Sequence, residues 1–376
     1  MIKVAALIGV TTLALGACKD KGNPGGSGGG GGEGASGGAG AGGAAASCEG
    51  TCEYPFQDLP VTVREGFTAT DPVTGRVLPL LARFPTGATG SLPLVIWSHG
   101  GGFDANGHHV SEDWGNTFAG QGYAVIHIAH IPLTTDSGSV LCDLGGIAPA
   151  DCSPANFDEE SGFLALAKTR DVIAVLDALP DLSDASVAAG GPSIDLDHVV
   201  IAGWSAGSRA PQVVLGAKFA PLDGYPPIGL PDPRPVASIG FSPAGPEFGG
   251  FFEDASGNSW QDMRGPILYG TGTMDVKPDK PELTGAIRRV AFDDQPTDGE
   301  RWLLYSNLPV GVGGHSTFNL ADLGSSDERL ASFSLALRSA ALAFLDAEVK
   351  GDATAEAWLA SNNARVLAGD ASWEHK

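Results

Sequence analysis

Apolar residues fall along this chain in short runs broken by glycine, proline and polar clusters, and the runs alternate between strand and helix spacing. Residues 61–67 and 77–84 read as strands joined through an Asp71-Pro72-Val73-Thr74-Gly75 turn. Residues 92–98 form a continuous apolar run, as expected of a parallel strand covered on both faces. A helix over about 112–119 leads to a strand over 123–129, and a long loop holding two cysteines follows. Between 159 and 179, Leu166, Val172, Ile173, Val175, Leu176 and Leu179 recur at helical spacing, with Pro180 as the stop. Further strands are expected at 197–202, 236–241, 267–270 and 301–305, and a long helix at 327–350 closes the pattern. The stretches 221–235 and 260–264 read as irregular loops. Strands alternating with helices predict a mainly parallel sheet covered on both faces, in a single α/β domain spanning 48–376.

The front of the chain has a different character. Lys3 precedes an apolar stretch over 4–15, which is too short to span a bilayer, as in an exported protein's signal peptide over 1–17. Leu15-Gly16-Ala17-Cys18 resembles the lipobox of the lipoprotein signal-peptidase family, in which the cysteine is diacylated and becomes the new N-terminus. More than one acyl chain on Cys18 gives stable anchoring where a single chain does not. Residues 22–46 are almost entirely Gly, Ala and Ser and cannot bury a core, so 18–47 reads as a tether with a span of roughly 30 Å. No later stretch reads as a transmembrane helix, which predicts a protein anchored to a bacterial cell envelope and not spanning its membrane.

Export changes how the cysteines read. Beside Cys18 there remain Cys48, Cys52, Cys142 and Cys152, which allow three pairings; an exported compartment favours disulfides, and local clips at Cys48–Cys52 and Cys142–Cys152 are expected. A formal charge of −22, about −23 once Lys3 is removed, argues against nucleic acid and anionic surfaces as partners.

The candidate chemistry centres on Gly203-Trp204-Ser205-Ala206-Gly207, which follows an apolar strand and precedes helix-compatible residues over 208–220. Two other G-x-S-x-G matches, at 25–29 and 34–38, lie in the tether and carry no such context. The pentapeptide resembles the nucleophile elbow of α/β-hydrolases, where a strained turn lifts a serine hydroxyl above the sheet. In that superfamily an acid and then a histidine follow the serine along the chain. Two histidines follow Ser205, and His315, in a glycine-hinged loop after the 301–305 strand, is the expected base; His375 is expected to be disordered at the terminus. Asp275, where an apolar strand runs into small residues, is the expected acid, with Asp279 the nearest competitor and Asp223 a weaker one. Backbone N–H groups of Ala206 and of Gly101 or Gly102, in His99-Gly100-Gly101-Gly102, are expected to receive the oxyanion. Trp204 and Phe103 flank the reacting atoms in sequence, as acyl-pocket walls or as plain core aromatics. His108 and His109, with His127 and His130 nearby, evoke a metal site, but adjacent histidines in a polar loop more often face solvent or substrate. Ser242, in Gly240-Phe241-Ser242-Pro243-Ala244, mimics a relaxed elbow with no helix after it.

Residues 93–102, 121–125, 170–179 and the elbow together resemble the dienelactone-hydrolase-like and platelet-activating-factor-acetylhydrolase-like branch, over about 78–360. The resemblance implies an α/β-hydrolase fold and a serine hydrolase acting on small-molecule or lipid esters, with no metal or organic cofactor. Ser208 stands where many members carry a second glycine. The dienelactone hydrolases proper use a cysteine nucleophile, and in the acetylhydrolase branch the acid can stand where this chain reads Phe241-Ser242-Pro243. The expectation is a lipid-anchored esterase or lipase built on Ser205, Asp275 and His315. An amidase or acyltransferase using the same residues, or a silent binding module, are the rivals.

Overall fold

The structure, a computed structural model, describes residues 52–376 apart from 158–160, 256, 278 and 298. The leader, Cys18, the tether and the Cys48–Cys52 pairing lie outside the described residues. Within the compact unit Ala46–Lys376, the apolar runs become nine strands of one sheet: β1 (Val61–Thr70), β2 (Val77–Pro85), β3 (Ser91–Ser98), β4 (Ala124–Ile128), β5 (Ser193–Trp204), β6 (Pro235–Phe241), β9 (Ile267–Gly272), β10 (Arg301–Ser306) and β11 (Ala371–His375). A short hairpin of two-residue strands, β7 (Glu253–Asp254) and β8 (Gly257–Asn258), forms a separate sheet. The spatial order is β1-β2-β4-β3-β5-β6-β9-β10-β11. β4, β3, β5, β6, β9 and β10 run parallel, while β1, β2 and β11 join antiparallel.

The parallel strands are largely apolar where helices cover both faces, whereas the start of β5 carries the polar Asp195, Asp197 and His198. Along β3, Val95 and Trp97 point to one side, into a core shared with α1 (Glu112–Gly120) and α7 (Glu328–Lys350). Leu94 and Ile96 point to the other, against α3 (Gly162–Asp177) and α4 (Leu179–Ala188). By length and composition α7 would suffice to cross a bilayer, contrary to expectation, but most of it is buried in the core. Its apolar composition reflects contact on nearly every side.

Other differences have local causes. Pro180 stops α3 but also sits in the first turn of α4, where its missing N–H costs nothing. The helix after Ser205 is shorter than expected: a 3₁₀ turn over Ser205–Ser208 and then α5 (Arg209–Val214). Gly216, at φ +113° with a backbone carbonyl of Asp262 close by, turns the chain away. Part of the cysteine loop is helical, α2 (Thr135–Leu144), started by a capping box between Thr134 and Ser137. The Cys142–Cys152 disulfide ties this helix to the loop after it, with Cα atoms 5.9 Å apart. His375 is ordered: it pairs with Trp302 across β10–β11, and its Nε2 lies 2.7 Å from Glu300. α6 (Gly285–Asp293), α8 (Ala353–Leu359) and α9 (Asn363–Ala368) complete the covering layers.

Candidate active site

β5 ends at Trp204 and the chain turns at once, leaving Ser205 at φ +56°, a left-handed conformation that costs a non-glycine residue free energy. The flanking glycines follow from crowding. A Cβ on Gly203 would collide with the Gly207 carbonyl, and one on Gly207 with the Ser98 carbonyl at the end of β3. Ser208, in place of a second glycine, closes the turn by donating its hydroxyl to the Ser205 carbonyl at 2.6 Å.

His315 begins the 3₁₀ turn His315–Asn319 beyond β10 and projects back to the elbow, its Nε2 2.8 Å from Ser205 Oγ. Its Nδ1 lies 2.7 Å from Asp275 Oδ1. An ionised Asp275 can only accept, so Nδ1 carries the proton and Nε2 presents a lone pair to the serine hydroxyl, which donates. The three residues thus form one hydrogen-bonded row across the carboxyl ends of β5, β9 and β10. Asp279 instead faces solvent 3.7 Å from Lys277, and Asp223 is exposed beside a separate polar cavity.

Asp275 is fully buried. Burial alone would push its carboxyl up, but the positive charge of Arg288, the contact with His315 and the Thr271 hydroxyl together hold it below the usual 3.8. Thr271 donates to Oδ2 at 2.8 Å, and Arg288 Nε is 3.3 Å from Oδ1. Arg288 comes from α6 and also donates to the carbonyls of Ser242 and Pro243 at 2.9 and 3.0 Å. Neither Thr271 nor Arg288 was expected. Thr271 stands four residues before Asp275, whereas nothing local distinguishes Arg288 from its exposed-side neighbour Arg289.

The glycine loop lies against the elbow: a Cβ on Gly100 would sit 2.6 Å from the Trp204 ring and 3.1 Å from Ser205 Cβ. Gly101 is left-handed at φ +72°, Gly102 continues the turn, and Ala206 is buried next to the serine. Trp204 is partly buried and packs against the first core cluster. Its indole N–H donates to the His315 carbonyl at 3.2 Å, and its ring centre is 4.9 Å from the imidazole. Phe103 packs into the second core cluster, with the Arg76 guanidinium 5.8 Å from its ring centre.

The remaining candidates separate from this row. His127 and His130 are fully buried and held neutral chiefly by burial, while the His108 and His109 rings lie 4.1 Å apart, tilted by 39°. Among the described residues, no group of three or more His, Cys, Asp or Glu is arranged to hold a metal. Ser242 is left-handed at φ +48° and fully buried, and its hydroxyl has no hydrogen-bond partner among the described residues. Compared with protein-family models and with curated proteins, the chain matches none.

Proposed function

We propose that this chain is a serine carboxylic-ester hydrolase of the α/β-hydrolase superfamily, held at a bacterial cell envelope by lipid on Cys18 and a glycine-rich tether. The observation that carries the reading is the row Ser205 Oγ, His315 Nε2, His315 Nδ1, Asp275 Oδ1, with spacings of 2.8 and 2.7 Å, on a serine held left-handed at the end of a parallel strand. The strand order, with an antiparallel strand second from one edge, suits the same fold family.

In this mechanism Ser205 Oγ attacks the ester carbonyl carbon while His315 Nε2 takes the hydroxyl proton. Asp275 stabilises the imidazolium that forms. The carbonyl oxygen, now negative, is received by the N–H of Ala206 and an N–H of the Gly101–Gly102 segment. Collapse of the tetrahedral intermediate breaks the bond to the alcohol oxygen, which leaves with the proton from His315. Water then attacks the acyl-enzyme, giving its proton to His315, and the acid departs as Ser205 recovers its hydrogen. No cofactor enters the scheme.

Hydrolysis of p-nitrophenyl esters over a range of acyl lengths tests it. Turnover by the wild type and a loss of about 10⁴-fold or more in Ser205→Ala is expected. Equal activity in the two proteins would overturn the assignment. A short-chain optimum would specify an esterase and a long-chain optimum a lipase.

A further inference from the structure

Behind the glycine loop lies a second row of serine, histidine and aspartate. Ser98 Oγ is 2.8 Å from His130 Nε2, and His130 Nδ1 is 2.9 Å from Asp171 Oδ2. The other oxygen of Asp171 meets Arg76 at 2.5 Å. Ser98, His130 and Asp171 are all fully buried, so no substrate reaches this row and it is not a second nucleophilic centre.

Its neighbours give it another use. Lys168, one helical turn before Asp171 on α3, is also fully buried, and its ammonium donates to the His99 carbonyl at 2.7 Å. At the far end of the loop, the Asp104 N–H donates to the His130 carbonyl at 2.7 Å. Between these points His99 Nδ1 lies 2.6 Å from the Gly100 carbonyl, which can only accept. Burial, with the charge of Lys168, pushes His99 down to about 3, so it stays neutral with its proton on Nδ1.

We infer that Lys168, together with the buried Ser98–His130–Asp171 row, positions the oxyanion loop. The inference rests on the ester-hydrolase reading of the site. In a trans peptide the C=O and N–H point in opposite directions. Holding the His99 carbonyl toward α3 therefore directs the Gly100 N–H the other way, and holding the Gly100 carbonyl on His99 directs the Gly101 N–H likewise. Glycine itself would leave those peptide planes free to rotate. These are positioning residues; none touches substrate.

The test compares wild type, Lys168→Met and Leu176→Ala in the full chain. Leu176 is a buried residue on the same helix, remote from the loop contacts, and serves as a control for general destabilisation. In Lys168→Met, kcat toward a p-nitrophenyl ester should fall about 10- to 100-fold with KM little changed. Amide hydrogen exchange over 100–104 should quicken about ten-fold. Leu176→Ala should lower the melting temperature without either change. Ser98→Ala, which removes one hydroxyl, should show the same pattern more weakly and answers the question if the methionine prevents folding. Loop exchange and kcat in Lys168→Met no different from Leu176→Ala would overturn the inference. A wild type without ester turnover would count against the parent reading alone, since the exchange measurement judges the loop without it.

Discussion

Arg288 Nε lies 3.3 Å from the carboxylate of Asp275, and both side chains are buried. A buried carboxylate facing only a neutral histidine would be costly to keep ionised, and the guanidinium offsets that cost. Arg288→Gln should destabilise the fold by about 3 kcal/mol and lower kcat about ten-fold or more.

The same pair sets a dependence on pH. The folded-state value of Asp275 lies below 3.8, so its contribution is fully present above that pH and is lost as pH falls through the lower folded value. Without Arg288 burial raises the Asp275 carboxyl, so the stability gap between wild type and Arg288→Gln should be full near pH ~8 and narrow progressively as pH falls into the acid range. Urea unfolding across that range measures it; a gap that widens in acid would contradict the pairing.

Trp204 joins the Ser205 turn to the histidine loop through its 3.2 Å bond to the His315 carbonyl. Trp204→Phe keeps an aromatic ring against the imidazole but removes the N–H. One neutral hydrogen bond is worth about 1 kcal/mol, so a fall of about five-fold in kcat is expected, with the fold retained. Unchanged kcat with a lowered melting temperature would show that the bond serves stability alone.

Far from the site, Glu348 on α7 lines a cavity with Glu300, Trp302, Glu356 and His375. Burial, then the charges of Glu300 and Glu356, push its carboxyl up to about 7 from 4.5. The folded state thus holds this proton more tightly than the unfolded chain. The resulting destabilisation is absent below about pH 4.5 and complete above about pH 7. Glu348→Gln should be more stable than wild type by about 1–2 kcal/mol at pH 8, allowing for solvent screening, and equal to it at pH 4. Thermal melts at the two pH values check this, and a benefit confined to acid would refute it.

What the amino-acid order reveals follows from how local each signal is. The run Leu94-Val95-Ile96-Trp97 announces a strand buried on both faces, and Gly203 and Gly207 announce a turn crowded by backbone. Ser205 and Asp275 stand just beyond such strands and His315 in the glycine-hinged loop that follows another, so the residues that meet in space are readable one at a time. Arg288 and Lys168 were not, because a single charged residue on a helix normally marks the solvent face and only the tertiary fold supplies the carbonyls and carboxylate that hold it. β11 reads as polar because it is a short edge strand, with Ser372 and Glu374 on one face and His375 at its end, and α2 carries Gly138 in its interior. In both, packing against the rest of the chain overrides weak local preference.

The most direct test of the central claim is labelling with a fluorophosphonate, followed by mapping of the modified peptide. One probe per chain, on the peptide containing Ser205, is predicted, with labelling abolished in Ser205→Ala and greatly slowed in His315→Gln. Absence of labelling, or a label on another residue that survives Ser205→Ala, would contradict the account.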